Sequence, residues 1–222
     1  MTYITTRTTE SPSVLASLRG LAPERALAHD EALRVAELQA NRLLGHFDVQ
    51  ATAVPEELIT ELPRIRVVRE LLPVSGSAHW ANGYWLISLN AAEPHVRQRF
   101  SLMHEFKHVL DHTRRHFPYY DRAWLSQAEQ AERVADYFAA CVLMPKKVVK
   151  SLWCSGQQDI PALAAKLQVS VPALRYRLAY LGLTEPASRC EQRSPLRPLP
   201  RRRAERTYFR PAVLVPALGG VA

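Results

Sequence analysis

Residues 97–112 read RQRFSLMHEFKHVLDH, and the fold and chemistry of the whole chain turn on them. Two histidines, His104 and His108, stand four residues apart, and Glu105 follows the first directly. On a helix, residues i and i+4 lie one above the other on the same face, so both imidazoles can aim a ring nitrogen at one metal ion. Glu105, one residue along, can act on a water at that ion without being a ligand, which makes it the candidate catalytic base. Phe100, Leu102, Phe106, Val109 and Leu110 give the segment the apolar contacts that a buried helix needs. With 8 His and 15 Glu in 222 residues, random placement gives about 0.02 copies of the pattern. The competing reading is a solvated helix face carrying two ordinary histidines.

A third ligand decides the class of site. In the metzincin arrangement a Gly follows the second His by three residues and a His by six. Here Asp111 and Arg114 hold those places, which excludes that class. The gluzincin arrangement instead takes a Glu from the next helix, with an acid one turn further on. Glu132 and Asp136 fit it, four residues apart in a helix expected over 123–143. Glu132 would complete a set of His104, His108 and Glu132 around one Zn2+ per chain, with water in the fourth position. Asp136 would accept a hydrogen bond from the far nitrogen of His104 and fix its tautomer. Glu129 is the rival for the third place; its other reading is a carboxylate in the first turn, favoured by the helix N-terminus. His112 continues the i, i+4 series and could border the site. His116, Tyr119, Tyr120 and Tyr137 are candidates to steady an oxyanion, with aromatic core the alternative role for Tyr137.

Outward from this centre the chain reads as α+β and mainly helical, a zincin-like peptidase core with a small β-sheet or hairpin packed on the active-site helix. Residues 94–114 form the long helix. Upstream, 77–90 carry the hairpin signal: Asn82-Gly83 stands between two aromatic-rich runs, where a tight turn needs positive φ at both central residues. Ile65, Val67 and Val68 read as a strand, and a short helix follows Pro55 through Glu56, Leu58 and Ile59. A helix is expected over 23–46, with Leu27, Leu33, Val35, Leu38, Leu43 and Leu44 along one stripe. Downstream, 116–122 is a loop, and Pro145 stops the helix of 123–143. Two short helices follow over 161–181, with Ser170 placed to cap the second. The resulting division is a flexible leader (1–22), a zinc peptidase domain (23–158), a helix-turn-helix-like unit (159–184) and a basic Arg/Pro-rich tail (185–222). Prolines 195, 198, 200, 211 and 216 argue that the tail is disordered, although 208–218 is apolar enough to dock.

Bulk composition narrows the setting. At 47% hydrophobic, 222 residues suffice for one good core. No run of 18 uncharged apolar residues occurs, and the Thr-rich start does not read as a secretory signal, so no membrane involvement is expected. Cys141, Cys154 and Cys190 are odd in number, far apart and form no CxxC pair, which suits a reducing cytoplasm. The net charge of +8 belongs mostly to the tail, where eight Arg and two Glu from Arg189 onward give +6 and leave +2 for the rest. A nearly neutral body argues against a duplex-binding module.

Residues 97–112 resemble the ImmA/IrrE metallopeptidase signature, whose usual form reads RFTLAHELGHxLLH. Residues 132–145, ERVADYFAACVLMP, resemble its second signature, ExEANxFAxxLLMP, and 169–183 resemble the closing VSxxALxxRLxxLGL segment. The similarity spans roughly 25–185. It implies a zinc-dependent endopeptidase, locally like thermolysin, that cleaves a regulatory protein such as an Xre-type helix-turn-helix repressor in a stress-response or mobile-element system. By the same resemblance His104, His108 and Glu132 bind zinc and Glu105 is catalytic. Three departures stand out: Met103 replaces a small residue, Val134 replaces the family's second Glu, and Lys107 replaces Gly. Lys107 puts in question how closely a neighbouring element packs on the active-site helix. A reading from a different class is a DNA-binding or adaptor regulator with a non-catalytic zinc site, in which Arg175 and Arg177 on the last helix would face nucleic acid. The basic tail could also make weak nucleic-acid contact.

Overall fold

The hairpin expected around Asn82-Gly83 is present, and its first strand is one edge of the sheet on which the site helix packs. In this computed structural model, which describes residues 13–49, 52–114, 119–120 and 125–184, strands β3 (Gly76–Ala81) and β4 (Tyr84–Asn90) pair antiparallel with Ala81 opposite Tyr84. The two turn residues have φ of 51° and 82°, the left-handed backbone that Asn and Gly tolerate best. Strand β2 (Ile65–Glu70) runs parallel to β4 on its other side, giving the order β2-β4-β3. Trp85, Ile87 and Leu89 alternate along the central strand and are all buried, so one sheet face is apolar.

Helix α4 (His95–Asp111) lies against that face, contacting both β3 and β4. Its other side packs against α5 (Gln127–Leu143), which in turn packs on α2 (His29–His46). With neighbours on two sides, α4 buries Leu102, Met103, Phe106, Val109 and Leu110 almost completely. Phe106 meets Phe138 of α5 with ring centroids 6.2 Å apart. Only a narrow strip of α4, including His104, Glu105 and His108, stays partly open. Burial of the flanking residues is therefore what orients the motif, since a helix with two apolar faces can turn only one stripe to solvent.

Differences from the sequence-based expectations lie at element ends. The leader expected to be loose over 1–22 contains α1 (Val14–Arg19), capped by Ser13 and with Leu18 fully buried; one apolar anchor and a cap make a helix from a stretch whose composition is polar. The helix expected over 23–46 begins at His29, because a two-residue strand, β1 (Leu27–Ala28), pairs parallel with β5 (Tyr119–Tyr120) first. A short helix, α3 (Glu57–Thr60), follows Pro55 as expected. The helix expected from 123 starts at Gln127, where Ser126 and Glu129 form a reciprocal capping box. The sequence reading passed over α6 (Lys146–Cys154), a further short helix after Pro145.

The last two helices, α7 (Ile160–Leu167) and α8 (Val171–Tyr180), are joined by a turn with Gln168 in the left-handed region, and Ser170 caps α8 as expected. Leu163, Leu167, Leu174 and Leu178 belong to the same buried cluster as the α4 and α5 residues. Two arginines fasten the pair. Arg99 of α4 donates to Gln168 Oε1 at 2.7 Å and to the Val54 carbonyl at 2.6 Å, and Arg177 donates to the Met144 carbonyl at 3.2 Å. The tail expected to be disordered, 185–222, and His116 lie outside the described residues.

Candidate metal centre

Two neighbouring helices bring the metal-ligating candidates together. His104 and His108 lie one turn apart on α4, and Glu132 comes from the facing turn of α5. Their donor atoms all lie within 4.8 Å of one another. The Nε2 atoms of the two histidines are 3.1 Å apart. Glu132 places one oxygen 3.3 Å from His104 Nε2 and the other 3.4 Å from His108 Nε2.

These spacings test whether a metal fits. Tetrahedral zinc with bonds of about 2.0–2.1 Å requires donors about 3.3–3.4 Å apart. The two imidazole nitrogens, 3.1 Å apart, are close to that edge length, and each lies 3.3 or 3.4 Å from a different oxygen of Glu132, so a small turn of the carboxylate would bring one oxygen to both. The donor chemistry, two imidazole nitrogens and a carboxylate, is also a usual zinc set. Among the described residues this is the one cluster of three or more His, Cys, Asp or Glu donors able to hold an ion.

The tautomers are set from outside the triangle. Asp136, one turn beyond Glu132, places Oδ1 2.8 Å from His104 Nδ1, which keeps that nitrogen the donor and turns Nε2 toward the triangle. Burial alone would disfavour a charged His104, but hydrogen bonds to Asp136 and Glu132 outweigh it and push its pKa up to about 9. Hydrogen bonds from His104 and His108 hold the Glu132 carboxyl far below the usual carboxylate range. A metal held here would meet an ionised Glu132 carboxylate and would compete with a proton on His104.

The remaining candidates separate cleanly. Glu129 is occupied elsewhere: its carboxylate accepts from the Ser126 amide and hydroxyl, each at 2.8 Å, at the start of α5. Tyr137 turns away from the site; its hydroxyl donates to Glu37 Oε2 at 3.2 Å, and burial raises its pKa strongly. His112 stacks edge-on against Trp85 at 4.7 Å between ring centroids. Tyr120 is half exposed on the short β5 strand, where Tyr119 also lies. Lys107 is buried and donates to Asp111 Oδ1 at 2.6 Å, one turn along, and burial pushes its pKa down. Its long side chain is thus accommodated within the helix layer by an ion pair with its own helix. Met103 and Val134 are both fully buried.

Two features near the site carried no sequence signal strong enough to single them out. Gly76, at the head of β3, abuts the Glu105 side chain. Arg19 of α1 donates to the Val109 carbonyl of α4 at 2.8 Å, so the leader segment braces the site helix. On the last helix, Arg177 is only 2% exposed and points at Met144 and Tyr137, which removes it from any surface that could meet nucleic acid.

Among solved structures, a Mycobacterium tuberculosis transcriptional regulator is similar in fold. Its TM-score is 0.50 at 17% identity, over 76% of this chain and 52% of that one, so this chain spans about half the length of that protein. No curated protein matches the chain. Among the described residues no helix is long and apolar enough to cross a membrane. A family model for peptidase M78, described as the IrrE N-terminal-like domain, matches residues 60–179, which takes in the sheet, both histidines, Glu132 and Asp136. The chain accordingly belongs to the IrrE N-terminal-like family of metallopeptidases.

Proposed function

We propose that the chain is a zinc-dependent endopeptidase that hydrolyses a peptide bond in a regulatory protein, a helix-turn-helix repressor of the Xre type. The observation that carries this reading is the donor triangle of His104, His108 and Glu132 with Glu105 beside it on α4. A zinc ion held there would supply Lewis acidity, bringing the pKa of a water from about 16 toward about 7 and polarising the substrate carbonyl. Glu105 takes no part in the donor set and is half-buried. Its carboxylate accepts the proton of the attacking water and later delivers it to the departing amine. Asp136 holds the His104 ring by Nδ1 so that Nε2 keeps its aim while charge develops nearby.

The regulatory substrate rests on the family resemblance, and a cytoplasmic setting on the cysteine pattern. The DNA-binding alternative loses support from the last helix, because Arg177 is buried and leaves Arg175 alone of the two arginines on α8. The experiment is to load the purified protein with zinc and incubate it with the repressor encoded beside it. Cleavage by the native sequence and none by Glu105→Gln is the expected result. Equal behaviour of the two proteins, with zinc bound in both, would leave an adaptor with a structural metal.

A further inference from the structure

Of the described glycines, Gly76 alone faces the side chain of another residue. A methyl group built on its Cα would lie 3.1 Å from Glu105 Cγ and 3.4 Å from Glu105 Oε1. It would also lie 3.3 Å from the Ser88 carbonyl oxygen. Carbon atoms in comfortable contact sit about 3.5–4.0 Å apart, so there is no room for this methyl unless something moves. Gly76 is not among the residues with positive φ, so its backbone conformation is open to any residue. What the position requires is the close approach of strand to side chain.

We propose that Gly76 is a positioning residue for Glu105: its bare Cα is the wall against which the Glu105 side chain rests, and this contact sets where the carboxylate stands relative to His104 and His108. The inference rests on the reading of Glu105 as the catalytic base. The strand is well placed for such a role. Gly76 pairs with Leu89, Ala78 with Ile87 and Trp80 with Trp85, so these β3 residues share the sheet face that packs on α4. Leu89 and Ile87, buried on the same face of the neighbouring strand, hold β3 laterally through the hairpin pairing. A side chain at Gly76 therefore finds a firm sheet behind it and a half-buried carboxylate in front, and the softer partner is Glu105. Displacement of a reacting group by about 1 Å costs about a hundredfold in rate, so a shift of a few tenths of an ångström is expected to cost several-fold to tenfold.

The test is a double-substitution cycle of Gly76→Ala and Glu105→Ala, read by thermal midpoint and zinc content. Turnover of Gly76→Ala alone is measured with a fluorogenic peptide chosen from a library because the native sequence cleaves it. The expected result has three parts. Gly76→Ala lowers the midpoint by at least about 2 °C when Glu105 is present and by less than half of that in the Glu105→Ala background. Zinc content stays at the native level. For Gly76→Ala, kcat falls several-fold or more with KM within twofold. An equal midpoint loss in both backgrounds would identify the Ser88 carbonyl as the obstacle and overturn the proposal, as would loss of zinc or an unchanged kcat. Should Gly76→Ala fail to fold, recovery of folding in the double variant supports the contact, and failure of both variants refutes it. An inert native protein sinks the peptidase reading itself, and the midpoint cycle still decides whether Gly76 holds Glu105.

Discussion

Glu132 and Glu129 lie three residues apart on α5, and exchanging each in turn tests the division of jobs between ligand and helix cap. The structure assigns Glu132 to the donor triangle, with its oxygens 3.3 and 3.4 Å from two histidine nitrogens, and Glu129 to the cap of its own helix. Loss of groups that merely orient a metal ligand costs about 10–100-fold in affinity or activity. Loss of a ligand must exceed the upper part of that range, so Glu132→Gln is expected to weaken zinc binding by at least about 100-fold, or roughly 2.7 kcal/mol. The same variant leaves the α5 cap untouched and removes a carboxylate whose partners are the histidines, so the zinc-free protein should still fold. Glu129→Ala is expected to do the reverse: native zinc affinity, with a thermal midpoint of the zinc-free protein lower by about 1–3 °C through loss of half the capping box. Competition titration against a chelator and calorimetric melting of the metal-free forms read the two effects separately. If Glu129→Ala loses zinc while Glu132→Gln retains it, the ligand assignment and the geometry behind it are wrong.

Glu105→Gln is expected to keep a full complement of zinc and a native melting profile while losing at least about a hundredfold in cleavage rate, measured by single-turnover proteolysis. Asp136→Ala should weaken zinc binding about tenfold, toward the low end of the range because Asp136 is 60% exposed, whereas Asp136→Asn, which can still accept from Nδ1, should lose less. Phe106→Ala removes a fully buried ring that meets Phe138 of α5, and chemical denaturation should show a loss of about 3–5 kcal/mol. Removing residues 185–222 takes away much of the net positive charge. Cleavage of an acidic or DNA-bound substrate should slow at low salt and be unchanged at high salt, where charges are screened beyond about 10 Å at 0.1 M.

The clustering of the candidate donors was legible in the sequence because their spacing is helical. The separations of His104 from His108, and of Glu132 from Asp136, are each one turn, so the faces follow from the periodicity alone and the structure has only to bring two helices together. The hairpin was legible for a similar reason, since Asn82-Gly83 names its own backbone conformation. The Ser126–Glu129 box was legible in principle as Ser-x-x-Glu, and reading it would have placed the helix start and settled Glu129 together. What escaped was long-range. Nothing near Val14 announces that Leu18 will be covered by distant helices. Pairing of Leu27–Ala28 with residues some ninety positions away leaves no local trace, and the contact between Gly76 and Glu105 exists only once the sheet is laid on α4. The burial of Arg177 was not legible for the opposite reason: its charge argues for the surface, and only a backbone carbonyl and two tyrosine rings at the right distances make burial tolerable.

The ion pair inside α4 bears on the routes by which such a sequence can change. The usual signature has Gly where Lys107 stands and Leu where Asp111 stands. An ammonium arriving first at that depth would face Leu, uncompensated, and an unpaired buried charge costs several kcal/mol. A carboxylate arriving first would find Arg19, whose charge interacts with Asp111. The two exchanges are thus unequal in order: acid before base is a passable path, and base before acid leads through a protein near the edge of unfolding. The same asymmetry applies in reverse, so Lys107 can be lost more readily than Asp111, and chains that share this pair should lose the lysine first.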